Sequence, residues 1–184
     1  AHHNRATWIS PYNDGQIIAG QGTIALETWN DLPVTAPMTW VVPAGGGGVV
    51  AGIGMALESL HSKAAPSQRL VAVQSEASPF LHNIFRHGTQ AGSLELPSLA
   101  DGLAGPVEAG SLTIPLVKRY VQDFVLVSEQ AIAQAIATCW SRYGERVEGS
   151  AAVTLAAVLS GAVPERPAVL VMSGGNIQPE LYEI

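Results

Sequence analysis

Four consecutive glycines, Gly45, Gly46, Gly47 and Gly48, stand between the apolar runs Val41-Val42-Pro43-Ala44 and Val49-Val50-Ala51-Gly52. Glycine loses more backbone freedom on ordering than any other residue, so a run of four is costly as simple filler. Such a run is useful where the backbone must come within touching distance of a partner. No side chain intervenes, and successive N–H groups are able to converge on an anion. The run before it reads as a strand and the run after it as a helix, whose N-terminus adds partial positive charge. Strand, glycine loop, helix is the expected arrangement, and a phosphate is its natural guest. A plain flexible turn is the competing reading; the apolar strand before and apolar helix after count against it.

The remaining chain supplies the frame for that unit. Short apolar runs at residues 70–73, 123–127 and 168–172 read as further strands, of the kind that suits a parallel sheet covered on both faces. Helices are expected at 16–19, 24–29, 49–62, 79–87, 128–143 and 151–160. In the fourth, Phe80, Ile84 and Phe85 face inward. Thr23 is the expected early cap of the second helix, and Ser128 caps the fifth, with Glu129 in its first turn and Gly144 as its stop. Gly52 and Gly54 are expected to let the third helix lie close on the sheet. Residues 6–10 (Ala-Thr-Trp-Ile-Ser) read as a short strand closed by Pro11. The stretch 91–113, rich in Gly, Ser and Pro, reads as a long loop, and long loops in compact domains often carry function. The strand and helix pattern defines an α/β class: a mostly parallel, open twisted sheet with helices on both faces. Ligands in such sheets bind beyond the C-terminal ends of strands. Two strands end in polar, glycine-rich loops, the tetraglycine and Ser173-Gly174-Gly175-Asn176, so one pocket is expected between them.

The chain's 184 residues suffice for one well-buried domain. A net charge of −6 with no Lys/Arg run argues against nucleic acid and anionic membrane as partners. No apolar stretch reaches membrane-spanning length. The single cysteine, Cys139, excludes an internal disulfide and reads as a small core residue in a reducing, cytoplasmic setting. Hydrophobic residues make up 47% and charged residues 13%, a balance that suggests burial against another domain or subunit. An exposed apolar patch is the expected sign of that docking.

A dinucleotide is the first alternative guest. Gly46-x-Gly48-x-x-Ala51 fits the loose fingerprint, which also needs an acidic residue closing the next strand to hold a ribose. That strand ends in Val73-Gln74-Ser75, and Glu76 lies past it. A Walker loop is excluded, since no Gly-Lys-Ser/Thr follows the glycines.

Several blocks, in order, resemble the fold-type II pyridoxal-phosphate enzymes, within them the threonine/serine dehydratase and serine racemase group. They are Pro11-Tyr12-Asn13-Asp14, Gly20-Gln21-Gly22-Thr23-Ile24-Ala25-Leu26-Glu27, Pro43-Ala44-Gly45-Gly46-Gly47-Gly48, Ala100-Asp101-Gly102, Glu148-Gly149-Ser150-Ala151-Ala152 and Ser173-Gly174-Gly175-Asn176. The resemblance covers nearly all of the chain and implies a tryptophan synthase β-like large domain that binds pyridoxal 5'-phosphate. It implies that the tetraglycine holds the cofactor phosphate, that Ser173 meets the pyridine nitrogen, that Gly102 lies close to the ring and that Glu148 stands near the cofactor edge. For Glu148, an acid at a helix N-terminus, stabilised by the dipole, is an equal alternative. Asp101 reads as a loop cap.

The chain departs from the family pattern at the Schiff-base lysine, which the resemblance puts in a Ser-x-Lys-x-Arg-Gly type motif. The two lysines here, Lys63 and Lys118, stand in neither context, and no catalytic residue is assigned. The Ser/Thr-rich Gly-Asn loop for the substrate carboxylate is also absent. Where some members of the group bind a divalent cation, this sequence has Gln74, Ser78 and Phe80, so no metal site is carried over. The chain is therefore expected to be a single domain, the C-terminal part of a cofactor-binding large domain, without the small domain, the N-terminal strands or a C-terminal regulatory domain. The expected partners are an amino-acid substrate, a lysine-bearing N-terminal segment or partner chain, and a second copy in a homo-oligomer. The expected activity is that of a lyase on a hydroxy-amino acid; an amino-acid racemase and a non-catalytic phosphate-ligand or regulatory subunit are the alternatives.

Overall fold

A computed structural model describes residues 7–32, 36–60 and 66–181. In chain order the elements are α1 (Gly15–Gln21), α2 (Thr23–Asp31), β1 (Met38–Pro43), α3 (Gly48–Leu60), β2 (Gln68–Ser75), α4 (Phe80–His87), α5 (Thr113–Tyr120), β3 (Asp123–Val127), α6 (Glu129–Thr138), α7 (Gly149–Leu159) and β4 (Ala168–Leu170). All strand pairs are parallel, and the sheet order is β3-β2-β1-β4.

That order follows from where the crossovers go. From β1 the chain steps outward to β2 through α3, and to β3 through α4 and α5. It then returns through α6 and α7 to the far side of β1, where β4 pairs with it at Val41–Leu170. Alternating side chains of β1 serve two cores. Trp40 and Val42 join Ile53 and Leu57 of α3, Leu81 of α4 and Val117 of α5. Val41 joins Val71, Val73, Ile132 and Ile136 of α6 and the small-residue face of α7. Period-2 alternation of a largely apolar strand thus supplies both faces of one buried sheet.

Ser128 caps α6 by accepting from the Ala131 N–H at 3.2 Å, and the helix continues as a π turn over Cys139–Tyr143 before Gly144 ends it at φ +68°.

Three expectations are corrected. Residues 7–10 form no strand, because the Ser10 hydroxyl turns to Glu108 and the Asn13 N–H while Trp8 and Ile9 are exposed; Ala6 lies outside the described residues. Thr23 does not cap α2: Gly22 occupies the N-cap and the Thr23 hydroxyl donates back to the Gly20 carbonyl at 3.0 Å. Gly52 serves helix packing rather than the sheet, since a Cβ there would collide with the Ile18 carbonyl of α1. Gly54 likewise makes room chiefly for Tyr120 of α5. The expected loop stands up to residue 112, with one turn at Asp101–Leu103, and an additional helix, α5, follows it from Thr113. Pro115 marks no break because it stands in the first turn, where its missing N–H has no intrahelical partner to lose.

Among the described residues no helix is long and apolar enough to cross a membrane. Trp8, Ile9, Leu94, Leu96 and Met172 are among the large apolar side chains left exposed, and β4 has a neighbour on one side only.

Candidate functional site

The direction of the winding reverses between β1 and β4, and a crevice opens there beyond the carboxyl ends of both strands. A cavity of about 270 Å³ occupies it. Every residue singled out from the sequence lines this cavity: Gly45, Gly46, Gly47, Gly48, Gly102, Glu148 and Ser173. They come from the loop after β1, the loop before α5, the start of α7 and the loop after β4.

The tetraglycine runs from the end of β1 into α3. Gly47 has φ +90°, a conformation that strains any residue with a Cβ. A Cβ on Gly46 would run into the Tyr12 ring, and one on Gly48 would press on the Tyr12 backbone, so two more of the glycines are demanded by close approach. Among the described residues, no acceptor meets the N–H groups of Gly46, Gly47 and Gly48. Gly47 and Gly48 are themselves buried. Buried backbone donors are nearly always paired, so this concentration of unpaired ones suits an anionic acceptor. The N-terminus of the thirteen-residue α3 points its dipole at the same place. No lysine, arginine or histidine lines the cavity among the described residues, and Glu148 is its one charged side chain. Attraction for an anion therefore rests on oriented backbone rather than on side-chain cations.

The opposite wall is built around Gly102, in the single turn Asp101–Leu103. A Cβ on Gly102 would stand 2.8 Å from the Ser150 Oγ. Ser150 is 6% exposed, and its hydroxyl has no hydrogen-bond partner. An unpartnered hydroxyl beside the cavity is a second group chemically suited to a polar ligand. The Asp101 carboxylate accepts from the Gly102 N–H at 2.8 Å, the local cap role expected of it. Glu129 fixes the preceding segment by accepting from the Ser98 Oγ and the Leu99 N–H, each at 2.7 Å.

Glu148 is the N-cap residue of α7, yet its side chain makes no capping hydrogen bond. The carboxylate lies against Gly174 instead, where a Cβ would collide with it, and the Glu148 N–H donates to the Gly174 carbonyl at 3.1 Å. This contact ties the loop after β4 to the start of α7 and brings Ser173 to the rim, exposed. Lys118 is exposed on α5 and lines no part of the cavity; Lys63 lies outside the described residues. Gln74 and Ser78 have their oxygens engaged by the His82 and Gly105 N–H groups, at 3.1 and 3.0 Å.

Tyr12 and Ser150 were not singled out as site residues. Both fall inside blocks quoted above, but neither residue type carries a chemical signal that spacing could reveal. Tyr12 is held over the glycines because its hydroxyl accepts from the Glu108 N–H at 2.9 Å. Burial first, and then the Glu108 carboxylate, push its phenol above the ordinary value of 10.0, so it remains a neutral wall near neutral pH.

The fold and site together define a doubly wound α/β domain with a glycine-rich crevice at the reversal of its sheet. The chain belongs to the pyridoxal-phosphate dependent enzyme family, whose model matches residues 1–174. It is 38% identical over 179 residues to an L-threonine ammonia-lyase of Thermotoga maritima, covering 97% of this chain and 43% of that protein. It is 38% identical over 174 residues to the catabolic L-threonine dehydratase TdcB of Escherichia coli K12, covering 92% and 51%. The structure of maize serine racemase matches with a TM-score of 0.80 at 28% identity, covering 97% of this chain and 54% of that one. The chain thus spans about half the length of the curated relatives it matches. The unpaired N–H groups, the unpartnered Ser150 hydroxyl and the side-chain-free wall at Gly102 suit a flat, phosphorylated ring of the pyridoxal phosphate kind.

Proposed function

We propose that the whole protein is a pyridoxal-phosphate-dependent ammonia-lyase acting on serine, threonine or a similar hydroxy-amino acid. In this reading the chain is the C-terminal, cofactor-holding part of a large domain, inactive on its own because the Schiff-base lysine comes from a segment or partner chain outside this sequence. The observation that carries it is the convergence of unpaired glycine N–H groups, Gly102, Glu148 and Ser173 on one cavity at the reversal of the sheet.

Each wall then has a task. The N–H groups of Gly45, Gly46, Gly47 and Gly48 hold the phosphate, helped by the α3 dipole. Gly102 would leave room for a flat ring, and Glu148 would stand beside it. The Ser173 hydroxyl would hold the ring nitrogen. When bound, pyridoxal phosphate supplies an electron sink for the charge left as the substrate's α-proton departs. A neutral hydroxyl shares its proton with the ring nitrogen without fully protonating it. Ser173 would therefore temper the sink and suit prompt loss of a β-hydroxyl, with a keto acid and ammonia as final products.

Ser173→Ala in the complete enzyme tests this. Turnover is expected to fall by about tenfold, the worth of one lost hydrogen bond, while cofactor absorbance is retained. Unchanged kinetics would refute the role of Ser173. The likeness to serine racemase favours a second reading, in which the same α-proton is removed and returned on the other face. Assaying keto acid against the opposite enantiomer of serine distinguishes the two. A second copy of the chain in a homo-oligomer is part of the proposal.

A further inference from the structure

Beyond the groups that face the cavity, we propose that Thr113 is a positioning residue for phosphate binding: it holds the 46–47 peptide in the orientation that sends the Gly47 N–H into the cavity. The inference rests on reading the glycine loop as a phosphate cradle. Thr113 is fully buried at the start of α5 and does not line the cavity, whereas Gly46 and Gly47 do. Its Oγ1 lies 2.6 Å from the Gly46 carbonyl oxygen. A carbonyl only accepts, so the one hydroxyl proton of Thr113 is committed to it. Ser111 Oγ, 2.8 Å from Thr113 Oγ1, is then the donor of that pair. The result is a buried, one-directional chain from Ser111 through Thr113 to Gly46; Ser111 is 2% exposed.

The consequence follows from peptide geometry. The carbonyl and N–H of a trans peptide point in opposite directions. With the Gly46 carbonyl drawn toward Thr113, the Gly47 N–H is turned away from α5, toward the side lined by Gly45, Gly48 and Ser173. Glycines offer little steric resistance to the opposite orientation, which would aim a carbonyl lone pair at the anion in place of a donor. The loop has no side chains with which to prevent this. Thr113, together with the Tyr12 ring lying on Gly46, supplies from elsewhere in the chain what the loop lacks.

The test compares pyridoxal phosphate with pyridoxal, which carries the same aldehyde and ring but no phosphate, by titrating the full-length protein with each. Thr113→Val keeps the shape and removes the proton; Thr113→Ser keeps the proton. Thr113→Val is expected to weaken pyridoxal phosphate binding about five- to tenfold, the scale of one hydrogen bond, with pyridoxal binding unchanged. Thr113→Ser is expected to restore most of that loss. Equal weakening toward both ligands would make Thr113 a structural residue and overturn the inference, as would unchanged pyridoxal phosphate affinity. If Thr113→Val does not fold, Thr113→Cys, whose thiol is a weaker donor, carries the same comparison: reduced preference for the phosphorylated ligand sustains the inference and unchanged preference overturns it. Wild-type protein that binds both ligands equally would instead overturn the cradle reading, and this inference with it.

Discussion

Ser150 illustrates how a single hydroxyl divides stability from binding. Buried and unpartnered without a ligand, it contributes an unsatisfied polar group to the protein's interior. Ser150→Ala is therefore expected to raise the stability of the ligand-free chain by about 1 kcal/mol, read from denaturant midpoints. The same change is expected to weaken pyridoxal phosphate binding about fivefold if the hydroxyl bonds the ligand. Opposite signs in the two measurements identify a binding hydroxyl; a rise in stability with unaltered affinity would make it a mere core serine. Gly47 shows the complementary case, in which the demand is conformational: its φ of +90° and the contacts of a would-be Cβ with Leu81, Thr113 and Val117 leave glycine alone suited to the position.

Among the elements, α4 carries the clearest titration. His82 lies half-buried on it, edge-on to Phe124 of β3 at 5.5 Å between ring centroids. Burial lowers its pKa from the ordinary 6.5, the contact with Asn83 opposing that only in part. A histidine depressed on folding binds its proton more readily in the unfolded chain. Between its folded value and 6.5 the unfolded state holds more protons, so stability falls as pH drops through that window and is unaffected above it. Denaturant midpoints of His82→Gln are expected to decline less between about pH 7.5 and 5.5 than those of the wild type, the difference staying below the one-proton limit of about 1.4 kcal/mol per pH unit. Equal slopes would remove His82 from the acid response. Helix α5 belongs to the same scale. Sequence patterning missed it because Pro115 and the short amphipathic run look like loop, yet it delivers Thr113 and Val117 beneath the glycine loop.

For the whole molecule, the proposed chemistry requires a lysine that reaches the cavity. Incubation of this chain with pyridoxal phosphate, borohydride reduction and intact-mass measurement is expected to give no single lysine adduct above background, since Lys118 is exposed and away from the cavity. One specific adduct on Lys118 or Lys63 would overturn the proposal that the Schiff-base lysine lies outside this sequence. The sheet order supports the site in a way no single element does. Because the chain returns from β3 to the far side of β1, the loops after β1 and β4 become neighbours although they lie more than a hundred residues apart in sequence.

The tetraglycine between strand and helix, the all-apolar strands and the Ser128 cap were legible because each is local: residue chemistry and short-range periodicity suffice. The four strands, their parallel class and the two glycine-rich strand ends at one crevice were readable on that basis; the seven cavity residues were instead named as a set from the resemblance of the blocks to a known family. Tertiary structure alone decided that Tyr12 covers Gly46, that Thr113 draws on its carbonyl and that Ser150 faces Gly102 without a partner. Those groups are unremarkable by type and separated by roughly fifty residues or more in most of these contacts, as in the 67-residue span from Gly46 to Thr113. Their proximity depends on the sheet order and on which face each helix covers. A linear sequence encodes what each residue is able to do; only the assembled sheet brings the donor and its acceptor within hydrogen-bond distance.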